Sequence, residues 1–329
     1  MNQPLLTINN LRVALSSSHN SPKILHGISF TINRGEIVGL IGESGCGKSM
    51  TASSILGLLP PTLKAKGEIL FENKNLLSLP LNALNQLRGT KLSLILQDPS
   101  LALNPLIKIG KQLTEGLRIH QKLSKQEAQL TGIHWLEKVG INNAALRMNQ
   151  YPHEISGGMK QRILIAIALI CSPSLVIADE PTTALDLTTQ AQILELMHQL
   201  QIEKQIGLLF ITHDLGIVAK YCQKVIVMYA GQIVESGPVS HIFNSPQHPY
   251  TQALLRAKQA LFQTKGAPLF FLEGIPPRPT HSFKGCAFAP RCNSAMEICK
   301  NSTPARFINH CSTLNTEVLC WLKKANEEL

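Results

Sequence analysis

The chain has few aromatic residues, no long apolar run and no block of basic charge, and each gap narrows the functions open to it. Two Trp, four Tyr and ten Phe among 329 residues are too few to read as the ring platforms on which single-stranded nucleic acids stack. The longest apolar stretch, Ile163–Cys171, is far short of the ~20 residues that cross a bilayer. The start, Met1-Asn2-Gln3-Pro4, has no charged leader with an apolar core, so a cytoplasmic protein is expected. In that compartment the eight cysteines do not read as a disulfide framework. The net charge is +10, but Lys and Arg are scattered without a run of five. Charge alone therefore leaves nucleic acid, acidic lipid and a plain basic surface open.

What is present is more specific. Gly42-Glu43-Ser44-Gly45-Cys46-Gly47-Lys48-Ser49 fits the phosphate-cradling pattern GxxxxGK(S/T) at every fixed position. It follows the apolar run Glu36–Ile41 and precedes a helical pattern over Met50–Leu59, the strand–loop–helix setting that this chemistry needs. Glycines let backbone N–H groups turn toward phosphate, and the helix N-terminus adds positive potential. Lys48 reaches the outer phosphates and the Ser49 hydroxyl ligates Mg²⁺. Residues 42–50, Met50 included, are thus the expected nucleotide-binding segment.

A second element is Leu175-Val176-Ile177-Ala178-Asp179-Glu180. A short apolar strand buried on both faces ends in Asp179, placed to hold the Mg²⁺ shell, and Glu180 is placed to polarise an attacking water. A third element, Ile155–Arg162, sets Ser156, Gly157 and Gly158 at a helix start, which is another anion site. One nucleotide hardly needs two such sites, so this one is expected to serve ATP held by a facing subunit. Strands are read at Leu6–Leu15, Ile24–Ile32, Gly35–Ile41, Gly67–Phe71, Leu92–Gln97 and Gly207–Thr212. Helices are read over 105–140, with Ser124 and Glu127 as a capping box, and over 158–171 and 188–204. Strands alternating with helices predict an α/β core.

The order of these motifs resembles an ABC ATPase. Gln97 resembles the Q-loop, Ala184-Leu185-Asp186 the D-loop, and His213 in Thr212-His213-Asp214 the switch histidine. By that likeness Gln97 senses Mg²⁺ and water and couples to a membrane subunit, His213 contacts the γ-phosphate, and Asp186 belongs to the nucleotide site. Gln97–Pro105, Gln247–Leu255 and Gly285–Cys292 are similar to stretches particular to the dipeptide/oligopeptide/nickel importer ATPases. The resemblance implies a P-loop ATPase core with an antiparallel β-subdomain. It implies an ATPase domain over residues 1–256, with a helical insertion over about 98–165, and a small cysteine-containing domain over 257–329. It also implies a second ATPase subunit, identical or paired, two transmembrane permeases and an extracytoplasmic binding protein. The implied place is the cytoplasmic face of the inner membrane, and the implied task is ATP-driven import of di- or oligopeptides. Import of nickel chelates or another small solute is the alternative. A soluble ATPase acting on nucleic acid is the rival from another class, and no nucleic-acid partner is expected.

Two departures stand out. Met159 replaces the commoner Gln of the signature, and no aromatic residue between Leu11 and Gly27 is placed to stack on adenine, which leaves His19 or Ile24. Cys286, Cys292, Cys299 and Cys311, with Cys320 beyond, form a compact thiol set without the close pairs of zinc sites. A 4Fe–4S cluster, which the family likeness favours, zinc, and no metal are the three readings.

Overall fold

A computed structural model describes residues 3–16, 22–183, 185–260, 272–277, 283–311 and 314–323. Its strands are β1 (Leu6–Leu15), β2 (Lys23–Ile32), β3 (Ile37–Ile41), β4 (Leu63–Phe71), β5 (Lys74–Asn75), β6 (Leu92–Ile95), β7 (Leu175–Asp179), β8 (Gly207–Ile211), β9 (Lys224–Tyr229), β10 (Gln232–Pro238), β11 (Phe307–Cys311) and β12 (Leu314–Val318). The chain divides into two compact units. One takes residues up to 5, 32–36 and 78–210, and the other takes 6–31, 37–77 and residues from 211 onward.

In the first unit the strand order is β8-β7-β6. The β6–β7 pair is parallel and registers Leu92 with Leu175 and Ile95 with Ala178. Leu175, Ile177, Ala178, Leu209 and Ile211 are fully buried, which explains why these strands are continuous apolar runs rather than alternating ones. Helices Ile109–His120, Lys125–Lys138 and Gly157–Leu169 pack together beside them. Gly110 and Gly132 let this packing close: a Cβ at either would strike Met148 within 3 Å. The capping box forms as the sequence predicts, with Ser124 Oγ accepting from Glu127 N–H and the Glu127 carboxylate accepting from Ser124 N–H.

In the second unit β2-β1-β4-β5 form one antiparallel sheet, and β11-β12-β10-β9-β3 form part of the other. The β3–β9 pair is parallel, Val38 opposite Lys224 and Ile41 opposite Val227. The β11–β12 hairpin extends this sheet through Glu235 and Ser236 of β10. Several elements differ from the sequence reading. The helix after the phosphate loop is Lys48–Ile55. It ends early because Gly57 turns left-handed, with its N–H on Ser54 O and Leu58 N–H on Ser53 O, a Schellman stop. β4 starts at Leu63 rather than Gly67 because it runs antiparallel along the whole of β1. Strands β9 and β10, not read from the sequence, are almost wholly buried.

Ile177→Ala should destabilise the protein by about 2–5 kcal/mol, since a fully buried aliphatic side chain leaves a cavity. Urea denaturation reads it. A loss below about 1 kcal/mol, the range of a volume-conserving core swap, would contradict the packing of β7.

Candidate nucleotide site

The phosphate loop leaves β3 through backbone that only glycine adopts freely. Gly42, Gly45 and Gly47 have φ of 151°, 77° and 109°. A Cβ on Gly42 would run into the Met228 carbonyl, and one on Gly47 would meet Leu25 Cδ2 at 2.6 Å. One on Gly45 would touch nothing within 4 Å, so that residue is present for its left-handed turn. Lys48 is buried, and its Nζ donates to the carbonyls of Gly42 (2.8 Å) and Glu43 (3.0 Å). Ser44 and Ser49 are exposed and Met50 is half-buried. Cys46 is buried, and that burial raises its thiol pKa more than neighbouring Lys48 lowers it. It therefore stays protonated at neutral pH, filling the loop rather than acting as a nucleophile.

The loop is held by groups the motif does not contain. Glu43 N–H donates to Tyr250 Oη at 2.9 Å. The Glu43 carboxylate accepts two N–H bonds from Arg291, at 2.7 and 3.0 Å. Tyr250 and Arg291 lie in two of the family-like stretches, yet nothing in their spacing announced this contact.

The first unit carries the carboxylates. Asp179 ends β7 and Glu180 follows it, both half-buried, and Glu180 has a φ of 46°. A non-glycine residue there is uncommon, and such backbone concentrates at functional sites. Gln97 Nε2 donates to Glu180 Oε2 at 3.0 Å, and Thr183 Oγ1 donates to the same oxygen at 3.1 Å. The two residues that the sequence assigned to water activation and coupling are thus in direct contact. Ser156 caps the helix Gly157–Leu169, its Oγ accepting from Met159 N–H, and Ser156 and Gly157 are exposed. Asp186 caps the helix Leu187–Lys204 through Thr189 N–H at 2.9 Å. Hydrogen bonds to the Thr189 backbone and side chain hold its carboxyl below the usual range. A Cβ on Gly158 would sit 3.0 Å from Thr189 Cγ2, so signature and D-loop are neighbours in this unit.

His213, in the second unit, is exposed and precedes the Asp214 cap of the helix Leu215–Tyr221. Of the two residues considered for adenine, His19 lies outside the described residues, while Ile24 is half-buried, its carbonyl against Gly231.

The side chain of Cys311 also lies outside the described residues. Cys286, Cys292, Cys299 and Cys320 border one small cavity of about 10 Å³, with His248 and Phe288 in its wall. Burial, reinforced by the other three thiols, pushes Cys320 up to about 11. Among the described residues no three His, Cys, Asp or Glu stand close enough to hold one metal ion, and the cavity has room for about one water. The donor chemistry suits iron–sulfur or zinc, but the arrangement described does not fit either.

The glycine cradle and buried lysine of the second unit, and the strand-end carboxylates and capped signature serine of the first, are each parts that an ATPase of the ABC class carries. The ABC transporter family model matches residues 25–183, and the model for the C-terminal region of oligopeptide/dipeptide transporters matches 234–299. The chain is 45% identical to the oligopeptide transport ATP-binding protein OppD of Salmonella typhimurium, covering 91% of this chain and 89% of that one. It is 45% identical to the dipeptide transport ATP-binding protein DppD of Bacillus subtilis, over 99% and 97%. A dimeric post-hydrolysis ATP-binding cassette bound to ADP and phosphate aligns with a TM-score of 0.63 and 25% identity, over 71% of this chain and 98% of that one. The chain belongs to the family of oligopeptide/dipeptide transporter ATP-binding proteins, and its ATPase uses ATP and Mg²⁺.

Gly42→Ala should weaken ATP-analogue binding about 5- to 150-fold, because a strained backbone costs of order 1–3 kcal/mol. A fluorescent nucleotide titration on folded protein measures it. Unchanged affinity would mean that the loop does not bind phosphate in this conformation.

Proposed function

We propose that the chain is the ATP-hydrolysing subunit that powers import of di- and oligopeptides through an ABC transporter. It works at the cytoplasmic face of the bacterial inner membrane as a peripheral subunit. Its partners in this reading are a second ATPase subunit, two permeases and an extracytoplasmic binding protein. Residues 1–256 form the ATPase domain, and residues 257–329 form an appended C-terminal domain. The observation that carries the reading is the Gln97–Glu180 hydrogen bond. It joins the carboxylate that would activate water to the head of the segment that would meet a permease. Support for the second role comes from Leu101 and Leu106, 85% and 84% exposed just beyond Gln97, where an apolar partner surface fits. Peptides as cargo rest on the names of the relatives, oligopeptide and dipeptide transport ATP-binding proteins. Among the described residues no helix is long and apolar enough to cross a membrane, consistent with a peripheral subunit.

In this mechanism Lys48 and the backbone N–H groups of residues 42–49 cradle the phosphates. Ser49, Gln97 and Asp179 offer the hard oxygen donors that suit Mg²⁺, and the ion would neutralise charge on the transferring phosphoryl group. Glu180 takes the proton of the attacking water, its oxygen oriented by Gln97 and Thr183. His213 contacts the γ-phosphate. Ser156, Gly157 and Gly158 serve the ATP of the facing subunit, and their exposed helix start is open for it.

Glu180→Gln should keep ATP binding while turnover falls about 10²–10⁴-fold, the usual contribution of a positioned base. Nucleotide binding and phosphate release by the transporter reconstituted in membranes measure the two. Wild-type turnover would overturn the assignment.

An iron–sulfur cluster is carried as a second reading of the C-terminal domain, because four thiols line one cavity. The ligands in this reading are Cys286, Cys292, Cys299 and Cys311, the last with its side chain outside the described residues, and the cavity must reorganise to admit a cluster. Protein purified without oxygen should contain about four irons and matching sulfide per chain, lost on Cys292→Ser. Metal-free, fully active protein would leave the thiols as packing.

A further inference from the structure

Glu43 occupies a variable position of the phosphate loop, and a carboxylate there faces a difficulty. It puts negative charge beside a site built for polyphosphate, where like charges repel. In this chain the charge is cancelled at once. Arg291 forks onto both carboxylate oxygens, the bidentate geometry that makes such pairs strong. The Arg291 side chain is 5% exposed and that of Glu43 is 25% exposed, so solvent screens the pair less than it would a surface pair.

Every other donor of Arg291 is also engaged. Nε donates to Glu273 O at 2.9 Å, Nη2 to Leu272 O at 3.3 Å, and Nη1 to Tyr229 Oη at 3.3 Å. Tyr229 is the last residue of β9, next to the Met228 carbonyl against which Gly42 lies. Tyr229, Tyr250 and Phe288 stack as a ring cluster with centroids 4.7–5.4 Å apart, and Tyr250 holds Glu43 N–H. Arg291 thus reaches the loop from a segment whose next residue is Cys292, with its guanidinium fixed from both sides.

We propose that Arg291 is a positioning residue of the nucleotide site: it neutralises Glu43 and fixes the phosphate loop, so the cysteine-containing segment is a structural arm of ATP binding. The inference rests on the ATP-site reading but not on transport or on any metal.

The test is a double-mutant cycle read by binding of a non-hydrolysable ATP analogue to full-length protein, with KM and kcat for ATP beside it. Arg291→Gln leaves Glu43 charged and loose, and is expected to weaken binding about tenfold, or about 1.4 kcal/mol. KM should rise more than kcat falls. Arg291→Lys keeps the charge and loses the fork, and should recover part of the affinity. The decisive variant is Glu43→Gln/Arg291→Gln. With the carboxylate gone, the arginine has no charge to cancel, and affinity should return to within about threefold of Glu43→Gln alone, a non-additive cycle. A double variant as weak as Arg291→Gln would reduce the arginine to a fold-holding role and overturn the proposal, as would unchanged affinity in Arg291→Gln. Because binding is read without turnover, failure of the peptide-import reading leaves the result interpretable.

Discussion

The backbone of the phosphate loop lies directly against the end of strand β9, and the rest of the nucleotide site depends on that contact. The Met228 carbonyl occupies the space a Cβ of Gly42 would need. Gly231, just after β9, fits as closely against the carbonyl of Ile24, and Gly47 sits against Leu25 of β2. The loop is therefore gripped by a backbone carbonyl at Gly42 and by the Leu25 side chain at Gly47, positions where an added Cβ would push it out. Parallel pairing of β3 with β9 fixes where the Met228 carbonyl stands. Close-packed interiors transmit such constraints instead of absorbing them. Lys48 then hydrogen-bonds two carbonyls of the same loop.

Each unit holds an acidic side chain, and each holds it by different means. In the first, Gln97 and Thr183 both donate to one oxygen of the Glu180 carboxylate. In the second, Glu43 is fully paired with a guanidinium and cannot serve as a base. Burial lowers the pKa of the Arg291 guanidinium, but its bonds to Glu43 and Tyr229 outweigh that and raise it. The guanidinium stays charged across the physiological range. The two acidic residues thus differ in the partners each has been given: neutral donors on Glu180, a guanidinium on Glu43.

Much of this was legible before any coordinates. Gly42, Gly47 and Lys48 announce their roles by fixed spacing, since few other backbone paths need glycine there. The β7 strand was legible because burial on both faces forces an unbroken apolar run, Leu175–Ala178, before the acids. Ser124 and Glu127 were legible because a capping box is local. What could not be read was long-range. Arg291 pairs with Glu43 across 248 positions, and Tyr250 across 207, and no period or spacing encodes such a meeting. Cys320 joins the other thiols at one cavity through the β11–β12 hairpin on β10, and these short strands carry no strong pattern. The helix end at Ile55 was missed for a different reason: the apolar residues continue past it, and the left-handed Gly57 stops the helix, not polarity.

The C-terminal segment bears on ATP binding whatever its thiols hold. Its arginine contact uses a carboxylate, a phenol and two main-chain carbonyls, none of which is a sulfur ligand. Yet Arg291 and Cys292 are consecutive, within the turn that also carries Phe288. A rearrangement that drew Cys286, Cys292 and Cys299 onto a metal would move the peptide unit from which Arg291 extends. Phe288 would move with it, between the cavity wall and the tyrosines behind the loop. The thiol-lined cavity and the arginine that holds the phosphate loop therefore share one short stretch of backbone. The phosphate loop answers to that stretch through a single charged pair.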